Sequence, residues 1–168
     1  GVAAETHVID RKIAWGTKNM TKGPAMTREE AQQALETGIS MVEELKNKGY
    51  SLIATGEMGI GNTTTSSAVA SVLLNEEVEK MTGRGAGLSS EGMTRKINAI
   101  KKAIEINQPD PTDGVDVLSK VGGFDIAGMA GLFIGGAVYG VPIVIDGFIS
   151  AVAALAAARI CPLVKEYM

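Results

Sequence analysis

The sequence predicts an α/β protein in which helices flank a parallel sheet. Residues 51–55 and 141–145 are short apolar runs with the length of buried strands, and helical patterns precede and follow each run. Helices that alternate with strands build a parallel sheet between helical layers. The 168 residues, 45% apolar and 21% charged, suit a single folded domain with its own core.

Capping and breaker residues delimit the helices. Thr27 and Glu30 match a capping box, which predicts that the first helix begins there and ends at Gly49. Ser89 or Ser90 can cap a later helix, in which isoleucines recur at helical spacing. The other predicted helices cover about 64–74, 112–120, 125–139 and 148–158. Residues 5–26 are predicted to be mostly irregular because glycine and proline interrupt them.

Composition excludes several classes of protein. The formal charge of −3 provides no electrostatic footprint for nucleic acid or an anionic membrane. The single cysteine, Cys161, excludes an internal disulfide and a multi-cysteine zinc site, and the single histidine, His7, argues against a histidine-based metal site. These counts make the cytoplasm the expected compartment. The N-terminus has no signal-peptide pattern and is typical of a segment that begins partway through a longer protein.

A membrane segment is the alternative for residues 126–145, which carry no charge over 20 positions. Glycines and Pro142 interrupt this stretch, and Asp125 and Asp146 flank it. A membrane hairpin would bury the Asp146 carboxylate at a large cost in free energy. The sequence therefore favours a protein that does not enter the membrane.

The motif GEMGIGNTT directly follows the first predicted strand. Gly56, Gly59 and Gly61 allow positive φ angles and leave amides uncovered, and residues 62–65 open a helix whose positive dipole end favours a phosphate. The motif is neither a Walker A loop nor the dinucleotide fingerprint GxGxxG. A glycine turn with a threonine cap is the alternative. Glu57 favours a ligand site, because a carboxylate has no obvious packing role there.

A second glycine-rich loop, residues 83–87 (GRGAG), is another candidate anion nest. Lys96 lies about two turns into the helix that follows and can reach back to a phosphate. The alternative, favoured by residue type, is a solvated surface lysine.

Two aspartates lie beside glycines near the predicted sheet. Asp125 has a simple alternative role as a helix N-cap. Asp146 follows the second predicted strand, in the most apolar part of the chain, where an unpaired carboxylate is costly. We expect it to bind a backbone amide, a cation or a ligand hydroxyl. The carboxyl ends of parallel strands are where ligands bind in such sheets, so both strand ends are candidate sites.

Several motifs, in order and in spacing, resemble one enzyme family. These are GEMGIGNTTTSSAV, TGRGAGL, GMTRKI, GGFDIAGMAG and VPIVIDGFIS, together with RKIAWGTKNMTKGPAMT near the start. The family is nicotinate-nucleotide:dimethylbenzimidazole phosphoribosyltransferase, and the resemblance covers essentially the whole chain.

The resemblance implies a transfer of 5-phosphoribose from nicotinate mononucleotide to 5,6-dimethylbenzimidazole, which yields α-ribazole 5′-phosphate and nicotinate with inversion at the anomeric carbon. This step belongs to the assembly of the nucleotide loop of cobalamin. The resemblance further implies a cytoplasmic homodimer with a Rossmann-like three-layer core, a parallel sheet with flanking helices, beside a smaller helical domain. It implies no metal or redox cofactor.

The same resemblance assigns roles to residues by motif. Glu57 and Asp146 are the catalytic candidates, with Glu57 nearest the ring-transfer chemistry, where a carboxylate stabilises positive charge on the ribose carbon. The implied substrate- and phosphate-binding residues are Gly59, Gly61, Asn62, Thr63, Thr64, Gly85, Ala86, Lys96 and Asp125.

The sequence departs from the family at both ends. The family's general base is a glutamate C-terminal to Met168, and the N-terminal part of the dimethylbenzimidazole pocket is also missing. We therefore expect residues 1–168 to be a single α/β core segment of the family's large domain, inactive alone. A non-catalytic nucleotide-binding module is the alternative function.

Overall fold

The computed structural model describes residues 11–85 and 87–168, so His7 and Ala86 lie outside the described residues. The described elements, in chain order, are α1 (Arg28–Asn47), β1 (Ile53–Ala54), α2 (Thr63–Leu74), α3 (Val78–Met81), α4 (Ser90–Asn107), α5 (Gly114–Val121), α6 (Phe124–Tyr139), β2 (Ile143–Val144), α7 (Phe148–Ile160) and a final 3₁₀ helix (Pro162–Tyr167). The predicted α/β class is confirmed, with helices around a small sheet. The short α3 and the 3₁₀ helix were not predicted, because elements of four to six residues give too little periodicity.

The two strands pair in parallel, as predicted, with Ile53 opposite Ile143 and Ala54 opposite Val144. The prediction that both faces of the strands are buried is wrong. Ile143 is 1% exposed, whereas Val144, on the opposite face, is 46% exposed. Among the described residues the sheet therefore has one covered face and one open face, since α6 packs only against the side that carries Ile143.

The helices α1 and α6 make a close backbone contact in the core. A Cβ atom at Gly38 would overlap the Gly128 carbonyl oxygen, and a Cβ atom at Gly131 would overlap the Leu35 carbonyl oxygen. Val42 and Phe133 are buried beside these glycines. Because glycine has no side chain, the two helix backbones approach more closely than alanine would allow.

Local caps begin the helices where the sequence predicts them. In the capping box of α1, the Glu30 amide donates to Thr27 Oγ1 over 3.1 Å and the Thr27 amide donates to Glu30 Oε2 over 2.7 Å. Ser89 caps α4, because its hydroxyl accepts from the Gly92 amide. Asp113 caps α5 and also pairs with Arg28 over 2.7 Å. The Arg28 side chain lowers the pKa of Asp113 and ties the start of α5 to the start of α1.

The uncharged stretch 126–145 is not one continuous helix. It is divided by Gly140, whose φ of 67° ends α6 in the left-handed region. Within residues 11–85 and 87–168, no helix has both the length and the apolar content that crossing a bilayer requires.

Candidate functional site

The two loops that follow β1 and β2 meet at one edge of the sheet, because the strands are parallel. The Cβ position of Gly59, in the first loop, lies 3.9 Å from Ile149 Cδ1, in the first turn of α7 after the second loop. The two strand ends, each predicted as a candidate ligand site, therefore lie next to each other.

The glycine loop has positive φ angles at two of its three glycines, and Gly56 does not have one. Gly59 and Gly61 have φ angles of 78° and 85°, in the region that favours glycine. The prediction that the loop amides are uncovered is wrong at one position, because the Gly59 amide donates to the Glu57 carboxylate. Glu57 thus has a structural contact within its own loop, and that contact fixes the direction of its carboxylate.

The N-terminus of α2 faces the site without a side-chain cap. Its N-cap residue is Asn62, whose side chain accepts no hydrogen bond from the helix. Thr63 and Thr64, both half-buried, follow directly. The first-turn amides of a helix have no partners within the helix, so this end of α2 is open to an anion.

Lys96 reaches this helix end from α4. Its Nζ donates to Thr63 Oγ1 over 3.0 Å and to the Gly83 carbonyl oxygen over 3.1 Å. The Cβ position of Gly85 lies 3.7 Å from the same Nζ, so the second glycine loop borders the ammonium group. The elements that converge here are the end of the first glycine loop, the second glycine loop and α4.

The surroundings of Lys96 disfavour its positive charge. The residue is only 7% exposed, so the alternative of a solvated surface lysine is wrong. Burial lowers the pKa of Lys96. Among residues 11–85 and 87–168 no carboxylate forms an ion pair with it. Since an ammonium has three donors and two are used, the third is available to an anionic ligand.

Asn62 connects the α2 terminus to Asp125. Its Nδ2 donates to Asp125 Oδ2 over 2.5 Å, while its own Oδ1 is buried and has no partner among the described residues. The N-cap role for Asp125 is wrong, because Gly123 is the N-cap of α6 and Asp125 is in the first turn. Asp125 is exposed, so its carboxylate has room for a second donor.

Asp146 is exposed at the carboxyl end of β2. Its apolar neighbours in sequence do not bury it, because the second loop lies at the carboxyl end of the sheet. Its backbone amide, rather than its carboxylate, makes the contact with the protein, donating to Ser150 Oγ over 3.3 Å. The carboxylate is therefore exposed to solvent on the same edge as the glycine loop.

Sequence reasoning missed two hydroxyl residues at this edge. Thr55 and Ser150 are 6% and 1% exposed, and their hydroxyl oxygens form a short hydrogen bond with each other. The available signal was a polar residue at the end of one apolar run, Thr55 in SLIAT, and a single polar residue within another, Ser150 in FISAV.

A separate cleft of about 590 Å³ lies at the far, C-terminal end of α2. Its lining includes Glu76, Glu77 and Glu79, with Lys101 held by Glu79 over 2.5 Å. Three carboxylates beside one already paired lysine repel anions, so this cleft does not compete with the site around Lys96.

Parallel strands, glycine loops and an uncapped helix N-terminus beside a buried lysine are the features of an α/β protein with a candidate anion site. In comparison with known families, the family model described as phosphoribosyltransferase matches residues 1–168. The chain belongs to this family, the one that its motifs resemble.

Two relatives of high sequence identity carry the same name. The nicotinate-nucleotide–dimethylbenzimidazole phosphoribosyltransferase of Acetivibrio thermocellus is 62% identical over 161 residues, which cover 96% of this chain and 46% of the relative. The enzyme of the same name from Clostridium acetobutylicum is 60% identical over 164 residues, 98% of this chain and 47% of the relative. The chain thus spans about half the length of these curated relatives.

A solved structure gives the same result for the fold. The crystal structure of CobT from Thermus thermophilus superposes with a TM-score of 0.89 at 36% identity, over 99% of this chain and 51% of that chain. The helices and the parallel strand pair described above therefore form part of a larger fold in that protein.

Proposed function

We propose that this chain provides the phosphoribosyl-binding core of an enzyme that transfers 5-phosphoribose from nicotinate mononucleotide to 5,6-dimethylbenzimidazole, with α-ribazole 5′-phosphate and nicotinate as products. The observation that carries the proposal is the buried ammonium of Lys96, without a carboxylate partner among the described residues, at the open N-terminus of α2. Burying a cation without a carboxylate costs free energy, and an anionic ligand offsets that cost.

The 5′-phosphate of the nucleotide is assigned to Lys96 and the first turn of α2. The third N–H of Lys96 donates to one phosphate oxygen, and the Thr63 and Thr64 amides donate to others. Gly85 borders the same space, where a Cβ atom would lie 3.0 Å from Thr63 Oγ1. Glycine at this position therefore keeps room for the phosphate.

The carboxylates around the phosphate site are assigned to the sugar and the reacting carbon. Asp125, held by Asn62, and Asp146 are exposed acceptors suited to ribose hydroxyls. Glu57, held by the Gly59 amide, faces the ribose carbon, where charge develops as nicotinate leaves. The exposed side chains of Met58 and Ile60 follow Glu57 in the same loop and suit the flat apolar face of a benzimidazole.

We further propose an assembly state and a location for the protein. The resemblance of the motifs supports a homodimer in the cytoplasm, with residues 1–168 as one α/β segment of the large domain. Light scattering coupled to size exclusion measures the mass in solution. A monomeric mass at high protein concentration contradicts the dimer for these residues.

The first test measures binding of nicotinate mononucleotide to the 168-residue chain by calorimetry. Replacing Lys96→Met removes a charge-assisted hydrogen bond to phosphate, so we expect affinity to fall by about tenfold or more. The matched control is Lys102→Met, an exposed lysine on the same helix, which should leave affinity nearly unchanged. Equal affinities of the Lys96→Met variant and the parent chain would contradict the assignment of the phosphate to Lys96.

The second test separates transfer from mere binding. Nicotinate release in the presence of 5,6-dimethylbenzimidazole is assayed in a full-length protein that contains this segment, with Glu57→Gln as the variant. We expect slower release with nucleotide binding largely kept, because the amide removes the negative charge near the ribose carbon. Binding without any release by the parent protein supports a nucleotide-binding module instead.

A further inference from the structure

A chain of hydrogen bonds joins the ends of β1 and β2 beneath the two loops. The Asp146 amide donates to Ser150 Oγ over 3.3 Å, and Ser150 Oγ shares a short hydrogen bond with Thr55 Oγ1. Thr55 Oγ1 in turn lies 3.0 Å from the Val144 carbonyl oxygen. This series of hydrogen bonds therefore starts and finishes on the same segment, residues 144–146. It passes through Thr55, the residue that immediately precedes the glycine loop.

Each hydroxyl has one proton to donate, and this fixes which group donates and which accepts in the series of hydrogen bonds. A carbonyl oxygen only accepts, so the Thr55 hydroxyl donates its one proton to Val144. Thr55 Oγ1 must then accept from the Ser150 hydroxyl, and Ser150 Oγ accepts from the Asp146 amide. Every donor is used once, so neither buried hydroxyl is left without a partner. Loss of the Thr55 hydroxyl leaves the Ser150 proton without this acceptor, and loss of the Ser150 hydroxyl leaves the Asp146 amide without its acceptor.

We propose that Thr55 and Ser150 are positioning residues, which hold the Asp146–Gly147 turn in register with the glycine loop. The consequence for the ligand, which rests on the proposed function, is that the pair fixes the direction in which the Asp146 carboxylate meets a sugar hydroxyl. Asp146 is itself exposed, and its backbone amide is tied to Ser150, so its position depends on this buried pair.

The location of the pair distinguishes positioning from simple packing. Both hydroxyls are nearly inaccessible, and apolar side chains of the same shape would fill such space at little or no cost in stability. The hydroxyls of Thr55 and Ser150 instead fix the distance between the two loops. The two-residue strands alone constrain this distance weakly. The expected effect of removing them is therefore on the loops more than on the core.

The first measurement is amide hydrogen exchange at Asp146 in the 168-residue chain. Ser150→Ala removes the acceptor of the Asp146 amide and should speed exchange at Asp146 roughly fivefold, the worth of one neutral hydrogen bond. Thr55→Val keeps the shape of the side chain and leaves that acceptor in place, so it should speed exchange by a smaller factor, through the freed Ser150 hydroxyl. The double variant should match Ser150→Ala alone, because both changes break one chain.

The second measurement compares the affinities of ribose 5-phosphate and inorganic phosphate for the same variants. We expect the ratio of the two affinities to fall roughly fivefold in Thr55→Val and in Ser150→Ala, while the affinity for inorganic phosphate stays the same. Thr55→Ser, which keeps the hydroxyl, should restore the parent ratio. Ser71→Ala is the matched control: this serine is also buried, its hydroxyl donates to the Ser67 carbonyl oxygen, and it lies away from both loops.

The outcomes separate the two proposals. If the parent chain binds phosphate but the affinity ratio is unchanged in all variants, the positioning role is wrong and the phosphate site remains. If both ligands weaken equally, or if Ser71→Ala has the same effect, the pair only supports the fold. If the parent chain binds neither ligand, both the proposed function and the role of the pair in sugar binding are wrong. If exchange at Asp146 is unchanged in the variants, the series of hydrogen bonds itself is wrong.

Discussion

Glycine has two different functions in two regions of this molecule. Between α1 and α6, Gly38 and Gly131 lie where a Cβ atom would overlap a carbonyl oxygen of the facing helix. In the loop after β1, Gly61 has a φ of 85° and no atom within 4 Å of its Cβ position. The first region needs the absence of a side chain, and the second needs a backbone angle.

The difference shows where a substitution takes effect. A Cβ atom between α1 and α6 separates two packed backbones, so its cost appears in the free energy of unfolding. A Cβ atom in the glycine loop disturbs a turn at the candidate site, so its cost extends to ligand affinity. Glycine content alone, 21 residues here, does not distinguish the two functions.

The largest expected effect tests the helix contact. Gly131→Ala should destabilise the protein by about 3 kcal/mol or more, because its Cβ has no room and the clash is with backbone. Gly128→Ala, three residues earlier on α6, is the control, since its Cβ would lie 3.9 Å from the Ala34 carbonyl oxygen. Denaturant unfolding should show the control as neutral or slightly stabilised, as helix propensity predicts. Similar stabilities of the two variants would contradict the close contact.

The next effect tests the loop. Gly61→Ala should cost about 1–2 kcal/mol of stability, from the left-handed backbone angle alone. It should also weaken nicotinate mononucleotide binding, because the amides of the following turn move. Gly56→Ala has no nearby atoms and no positive φ, so it should change neither thermal unfolding nor calorimetric affinity. A loss of affinity in both variants would mean that the loop tolerates no side chain anywhere.

The third effect uses pH to separate stability from ligand affinity at Lys96, which lies beside the glycine loops. Burial lowers the pKa of Lys96, so the unfolded chain binds more protons than the folded chain in the alkaline range between the two pKa values. Stability should therefore gain a contribution from Lys96 as pH rises through the lowered pKa. Affinity for nicotinate mononucleotide should fall several-fold over the same range, because the ligand needs the ammonium. Lys96→Met should remove both trends, and a parallel rise of stability and affinity would contradict the assignment.

The smallest effect concerns the start of α1, which supports the helix contact but not the loop. Thr27→Ala removes the side-chain half of the capping box and should cost about 1 kcal/mol of stability. Nucleotide affinity should be unchanged, since α1 does not reach the candidate site. Calorimetry at a temperature well below unfolding checks this, and Thr27→Ser serves as the variant that keeps the cap.

Sequence reasoning succeeded where the cause is local. The capping box of Thr27 and Glu30 depends on four consecutive residues, and the left-handed angle at Gly61 depends on the loop itself. Both of these features follow from the residues that form them. The parallel pairing of Ile53–Ala54 with Ile143–Val144 is not local, but the alternation of helix, strand and helix along the sequence predicts a parallel sheet.

Sequence reasoning failed where the cause lies in another element. Residue type favours an exposed Lys96, yet Thr63 and the second glycine loop bury it. The apolar neighbours of Asp146 in sequence suggest burial, yet the turn lies at an open edge of the sheet. The contact of Glu57 with the Gly59 amide depends on how the loop folds back on itself. Such contacts follow from tertiary structure, which periodicity and propensity do not encode.

The close contact of α1 with α6 also constrains the order in which the chain folds. Residues 48–123 separate the two helices, so their contact closes a long loop and cannot form while that intervening segment is extended. Contacts between distant parts of a chain slow folding, because the entropy of loop closure is lost before the contact forms. The packing of α1 against α6 therefore adds a loop-closure cost to folding that contacts within each helix do not carry.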